Sequence, residues 1–291
     1  MITPFTESGE IDYAAAEKLV NWYLGSGCVG IFAPCLSSEM FDLSPAERLA
    51  MAKYVKKIAG TRGVVVGTGT YGGSIEEQAA FVVKMGECCD AVVVNTATLV
   101  PQEADDAAWQ AAAAKLLELT GSVPLGLYEC PVPYKRLLSP VLIKWCADSG
   151  RFHFHKDTCC DLAQMKAKIQ AIPPGSNFKF YNANVETLLF TNELGGSGFS
   201  GISANFYPWL HAYVCSKVRR LLATCWGVGC FGWGVLSVAQ MMRVVLLRSS
   251  LFQRAVGPGC QSGRLANWPV CSLAAPPLLL SVTGPAGRSL P

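Results

Sequence analysis

Short apolar runs alternate with amphipathic stretches along the first 215 residues of the chain. The runs at 29–35, 63–69, 91–97, 123–130, 152–158, 178–184 and 198–205 have the length and the β-branched or aromatic content of strands. Between them, apolar residues recur at helical spacing over 13–26, 45–58, 75–87, 106–120, 139–149, 161–171 and 185–193. Several of these helices announce their starts. Ser44-Pro45-x-Glu47 sets a capping hydroxyl before a proline at the first helical position, and Ser74 and Asp161 are placed to cap in the same way. Strands regularly separated by helices predict a parallel α/β fold. Two architectures remain open on this pattern, a (β/α)₈ barrel and a doubly wound open sheet. For a barrel, residues 1–5 would supply only the end of an eighth strand, so its first strand would be truncated.

The pattern breaks after residue 215. Residues 216–291 contain no Asp or Glu and are rich in Gly, Pro, Arg, Trp and Cys. The chain therefore divides into a barrel-like unit, 1–215, and an apolar and basic tail, 216–291, that is not expected to form an ordered domain. Residues 221–242 carry no charge and are long enough to span a bilayer, but their glycine content opposes a helix, so a membrane segment is not the preferred reading. The overall charge of +3 hides this asymmetry: the first 215 residues hold all 21 acidic groups and only 16 of the 24 basic ones. An acidic main unit argues against a nucleic-acid partner. The N-terminus has no basic and apolar leader, and no C-x-x-C occurs among the 13 cysteines, which read as buried or half-buried thiols of a cytoplasmic protein.

Candidate chemistry lies at the strand ends. Gly67-Thr-Gly69-Thr-Tyr-Gly72 matches a dinucleotide-binding pattern, but in the wrong strand of the fold; a glycine-rich loop near a substrate is the simpler reading. His153 and His155 share one face of a strand, with no carboxylate at ligand spacing in the sequence, and read as structural. Lys156 ends the same strand on the opposite face, together with Phe152 and Phe154. An amine desolvated inside a barrel loses pKa and becomes a nucleophile, whereas an exposed strand-end lysine would do nothing. Tyr128 ends the preceding strand, within about 4.8 Å of interstrand spacing, and so can meet Lys156 over the mouth. Cys35-Leu36-Ser37-Ser38-Glu39 follows the first complete strand and offers hydroxyls and backbone N–H groups for a carboxylate.

Together these segments resemble the dihydrodipicolinate synthase/N-acetylneuraminate lyase family over residues 1 to about 215. Tyr128-Glu-Cys-Pro131 corresponds to the family's Y-x-x-P, and Lys156-Asp-Thr158-Cys-Cys-Asp161 to its lysine segment. Cys35-Leu-Ser-Ser-Glu39 with Leu43-Ser44-x-x-Glu47-Arg48 corresponds to its G-T-T-G-E and L-S-x-x-E-R. The resemblance implies a Schiff-base lyase or aldolase joining or separating pyruvate and an aldehyde, without a cofactor or metal. Lys156 and Tyr128 would be catalytic, and Ser37, Ser38, Thr158 and Glu186 would bind a pyruvate or 2-oxo acid substrate. A homo-oligomer would fit the family. Leu36 and Ser37 replace the family's two threonines, Ala97 and Thr98 stand where synthases carry paired tyrosines, and Pro133 stands where they carry an arginine. Thr158 and Glu186 look more like the lyases. A barrel without catalysis, and a nicotinamide-dependent enzyme using the Gly67–Gly72 loop, are the competing readings.

Overall fold

The structure is a computed structural model that describes the backbone of residues 1–225 and side chains through residue 216. Seven parallel strands run β1 Gly30–Phe32, β2 Val64–Thr68, β3 Ala91–Asn95, β4 Leu125–Tyr128, β5 Phe152–Asp157, β6 Lys179–Asn182 and β7 Gly198–Phe199. The helices are α1 Tyr13–Gly25, α2 Pro45–Ala59, α3 Ile75–Gly86, α4 Asp106–Leu119, α5 Pro140–Asp148, α6 Leu162–Ala171, α7 Leu188–Glu193 and α8 Pro208–Cys225. The expected caps form: Ser44 and Ser74 each exchange hydrogen bonds with a glutamate three residues on, and Asp161 accepts from the Gln164 amide at 2.8 Å.

The strands lie side by side in chain order, from β1 to β7. A doubly wound sheet reverses its order at a switch point, so this arrangement excludes the open-sheet alternative. The two ends of the series also meet. The Tyr23 hydroxyl on α1 donates to Asn205 Oδ1 at 2.9 Å, in the 3-10 turn that follows β7. No strand before β1 is assigned among the described residues. Residues 1–3 pack instead under the β1 exit, where the Ser38 hydroxyl donates to the Met1 carbonyl at 2.7 Å and the Thr3 hydroxyl to the Ser38 carbonyl at 2.8 Å.

Strand alternation sorts the core into two layers. Val92, Val94, Leu125 and Leu127 face the helices and pack with Trp109, Leu116, Leu142 and Ile143. Phe32, Val66, Val93, Tyr128 and Phe154 face inward. Here one expectation fails. Leu125 pairs with Phe152 but Gly126 pairs with Phe154, so His153 is a bulged, exposed residue. The bulge breaks the alternation: Phe152 packs outward against Trp145, while Phe154 and Lys156 keep the inner face. Gly126 makes room for the Phe154 ring, because a Cβ there would lie 2.1 Å from Phe154 Cζ.

The Gly67–Gly72 loop is packed rather than open. A Cβ on Gly69 would lie 2.2 Å from Val92, and Gly72 adopts φ of 100° in the turn beyond. Its first glycines serve close packing of β2 on its neighbours, as a structural reading requires. Cys28, Cys35, Cys88, Cys89, Cys130, Cys146, Cys159 and Cys160 are free thiols, and of these Cys160 alone is exposed. No helix among the described residues is long and apolar enough to cross a membrane. Helix α8 runs through residue 215, and the remainder of the uncharged stretch 221–242 and the rest of the tail lie outside the described residues.

Candidate active site

Lys156 and Tyr128 are direct register partners across β5 and β4. The Lys156 Nζ lies 4.2 Å from the centroid of the Tyr128 ring and 5.1 Å from that of Phe32. Among the described residues no carboxylate pairs with it. Burial among these rings lowers the Lys156 pKa from the usual lysine range, opposed only by the Cys35 and Cys130 thiols when ionised. Burial also holds the Tyr128 phenol protonated, and the Cys130 and Cys35 thiols, when ionised, push it the same way. The pair is therefore an amine biased toward its neutral form beside a phenol that can donate or return a proton.

The turn after β1 divides the work of its two serines. Ser38 is fully buried; besides donating to Met1, its hydroxyl accepts from the Cys35 amide at 3.0 Å. That hydroxyl is thus engaged within the turn and with residue 1. Ser37 is half-buried, and its hydroxyl makes no hydrogen bond among the described residues. Thr158 stands at the mouth end of β5, but its hydroxyl donates to the Glu129 carbonyl at 2.7 Å, tying the exits of β4 and β5 together. Glu186 is exposed in the loop after β6, its amide donating to Asn184 Oδ1 at 2.7 Å, and no contact joins it to Lys156.

Behind the Lys156–Tyr128 pair, on the helix-facing side of the same strands, sits a cluster that the linear reading missed. Glu129 follows Tyr128, Asp157 follows Lys156, and α6 sends Lys168 between them, with Nζ 2.6 Å from each carboxylate. His155 Nε2 lies 3.3 Å from Glu129 Oε1 and 3.7 Å from Asp157 Oδ2, at ion-pair distance but without an aligned hydrogen bond. The sequence reading found no carboxylate near His155; the sheet supplies one from the next strand and one two residues along. Glu129, His155 and Asp157 bring ligand-type atoms within 4.8 Å of one another, as a metal site would. The Lys168 ammonium already occupies the cationic role there. Burial would push Lys168 down, but the two carboxylates win and raise it. Burial would likewise raise Glu129 and Asp157, but His155 and Lys168 pull both below the usual carboxylate range. The one signal in the sequence was phase, since Glu129 and Asp157 each come one residue after a mouth residue.

A parallel α/β enzyme fold with a desolvated lysine and a tyrosine at the strand exits is the class that sheet and site define. A model of the dihydrodipicolinate synthetase family matches residues 1–220, and the chain belongs to that family. It is 26% identical over 212 residues to 4-hydroxy-tetrahydrodipicolinate synthase 1 of Streptomyces coelicolor, covering 72% of this chain and 67% of that protein. It is 29% identical over 207 residues to the 4-hydroxy-tetrahydrodipicolinate synthase of a Synechocystis species, covering 70% and 67%. Among solved structures, the pyruvate-complexed, chloride-inhibited dihydrodipicolinate synthase of Acinetobacter baumannii superposes with a TM-score of 0.74 at 21% identity, covering 91% of this chain and 84% of that one. A prophage protein of the same family from E. coli K12, in complex with pyruvate, gives 0.70 at 23% identity, covering 87% and 80%. At these identities the structural matches establish the fold.

Proposed function

We propose that the chain is a Schiff-base-forming lyase or aldolase that makes or breaks a carbon–carbon bond between pyruvate and an aldehyde. The observation that carries this reading is the Lys156 amine, desolvated by aromatic rings, unpaired with any described carboxylate and directly across from Tyr128. The neutral amine adds to the C2 carbonyl of a 2-oxo acid, and loss of water from the carbinolamine gives a protonated imine. That imine accepts the electron pair of the C3–C4 bond as it breaks, leaving an enamine; the reverse sequence forms the bond. Tyr128 passes protons to and from the carbinolamine oxygen and the oxygen of the departing aldehyde.

The substrate carboxylate falls to the turn after β1. The Ser37 hydroxyl and the backbone N–H groups of that turn form its cradle, and Ser38 supports the cradle from beneath. Thr158 and Glu186 stand at the other side of the mouth, on the β5 and β6 exits, where they would meet the variable end of the substrate. Pro133 supplies no guanidinium for a second carboxylate, so aspartate semialdehyde is expected to be a poor partner. No metal or organic cofactor enters this scheme. The family's fold extends the described sheet to an eight-stranded barrel, with residues 1–5 as the end of its first strand, and a homo-oligomer is consistent with it.

Borohydride reduction in the presence of pyruvate tests the reading. A mass increase located at Lys156 is expected, and an adduct that survives Lys156→Ala would assign the imine elsewhere.

A further inference from the structure

Strand pairing on both sides of β4 ends at Tyr128, which is matched to Asn95 of β3 and Lys156 of β5. The chain then turns away at once. The Cys130 amide donates back to the Tyr128 carbonyl at 2.8 Å across a three-residue turn centred on Glu129, whose own amide reaches the Lys156 carbonyl at 3.2 Å. β5 runs one residue further against β6, with Asp157 matched to Asn182. The β4 exit has no such extension, so the turn that carries Tyr128 must be held by side chains.

Glu129 does this. Its buried carboxylate accepts from three other segments: the Thr158 amide at the β5 exit at 3.1 Å, the Leu138 amide ahead of α5 at 2.8 Å and the Lys168 ammonium of α6 at 2.6 Å. The Thr158 hydroxyl donates in turn to the Glu129 carbonyl at 2.7 Å. Three donors converging on one group need an ionised acceptor of this length. A protonated carboxyl or an amide would set a donor of its own against them, and an aspartate would fall one methylene short. Lys168 supplies the counter-charge that keeps the carboxylate ionised while buried, and its second bond, to Asp157 at 2.6 Å, fixes the ammonium itself.

We infer that Glu129 is a positioning residue for imine formation: by fixing the turn after β4, it holds Tyr128 beside the Lys156 amine. The inference rests on the Lys156 reading and adds to it a group that touches neither the substrate nor the reacting atoms. Loss of water from the carbinolamine needs a proton on the departing oxygen. A donor misplaced by about 1 Å can slow such a step by about 10²-fold.

The test times imine formation with pyruvate alone. Borohydride is added at intervals after mixing, and the reduced adduct at Lys156 is counted by mass spectrometry. The final level reports the fraction of competent sites, and the rate constant reports the chemistry, so damage to folding and loss of positioning separate. Glu129→Gln should slow the rate constant by about 10–100-fold and leave the final level at saturating pyruvate near that of the wild type. Glu129→Asp keeps the charge but loses the reach; it should slow the reaction in the same direction, and it decides the matter if Glu129→Gln does not fold. In a Tyr128→Phe background, Glu129→Gln should slow the reaction by less than about threefold more, because the hydroxyl it positions is gone. A rate constant within about threefold of the wild type in both variants, with only the final level lowered, would make Glu129 structural and overturn the inference. Slowing that multiplies in full with that of Tyr128→Phe would overturn it as well. No pyruvate adduct in the wild type would end the Lys156 reading and the positioning role with it, a result distinct from the other two.

Discussion

Lys156 and Lys168 are twelve positions apart in the sequence and serve opposite sides of the same two strands. Lys156 faces inward among aromatic rings, with no described carboxylate beside it, and its pKa falls. Lys168 reaches the outer side of β4 and β5, touches Glu129 and Asp157 at 2.6 Å each, and its pKa rises. Both amines are desolvated, so burial alone does not decide the outcome. The counter-charge does. A buried lysine with two carboxylates is a locked cation, and one with only rings is available as a nucleophile. The locked cation also ties together the segments that carry Tyr128 and Lys156, since Glu129 and Asp157 adjoin them in the chain.

The sharpest way to break this contrast is at Lys156. Lys156→Ala should abolish the borohydride adduct with pyruvate and all pyruvate release, while leaving the urea midpoint near that of the wild type. Tyr128→Phe comes next: pyruvate should still bind, but turnover should slow by about 10²–10⁴, the usual contribution of a positioned proton-transfer group. A loss under threefold in pyruvate-release assays would make Tyr128 a packing residue.

Lys168→Met should act mainly on stability. Removing the cation leaves two buried carboxylates facing each other, with only His155 to offset them, at a cost of about 3–5 kcal/mol by urea unfolding. A cost below about 1 kcal/mol would show that the quartet is not a lock. The smallest effect is the pH dependence of the wild type. Glu129 and Asp157 are depressed, so their contribution is complete above their unfolded pKa values and is lost as pH falls. For His155 burial acts downward, but Glu129 and Asp157 raise it, so its contribution is present below its unfolded pKa and lost as pH rises through the folded one. Stability from this quartet should therefore peak between about pH 5 and 6.5, between the unfolded carboxylate and imidazole pKa values. Urea midpoints measured from pH 3 to 9, flat throughout, would deny the quartet a net role.

Much of the fold was legible in the chain. Each of the seven apolar runs contains a strand, and the capping residues start α2, α3 and α6 where expected, because burial periodicity and helix caps are local effects. The juxtaposition of Lys156 and Tyr128 was also within reach, since both end consecutive strands of a parallel sheet. What the sequence could not specify depended on register and on contacts between distant segments. The bulge at His153 reversed the side taken by Phe152, and no periodicity reports a one-residue slip. Ser38 looked like its neighbour Ser37 until residues 1–3 packed beneath the turn and took its hydroxyl. Glu129, His155, Asp157 and Lys168 come from two strands and a helix, and only the side-by-side order of β4 and β5 turns them into one ion network. The sequence by itself determined which elements exist and that Lys156 and Tyr128 end neighbouring strands, because these follow from side-chain type and spacing. The tertiary structure alone decided which of two buried lysines stays charged, because an ion's state depends on neighbours that the chain brings together only when folded.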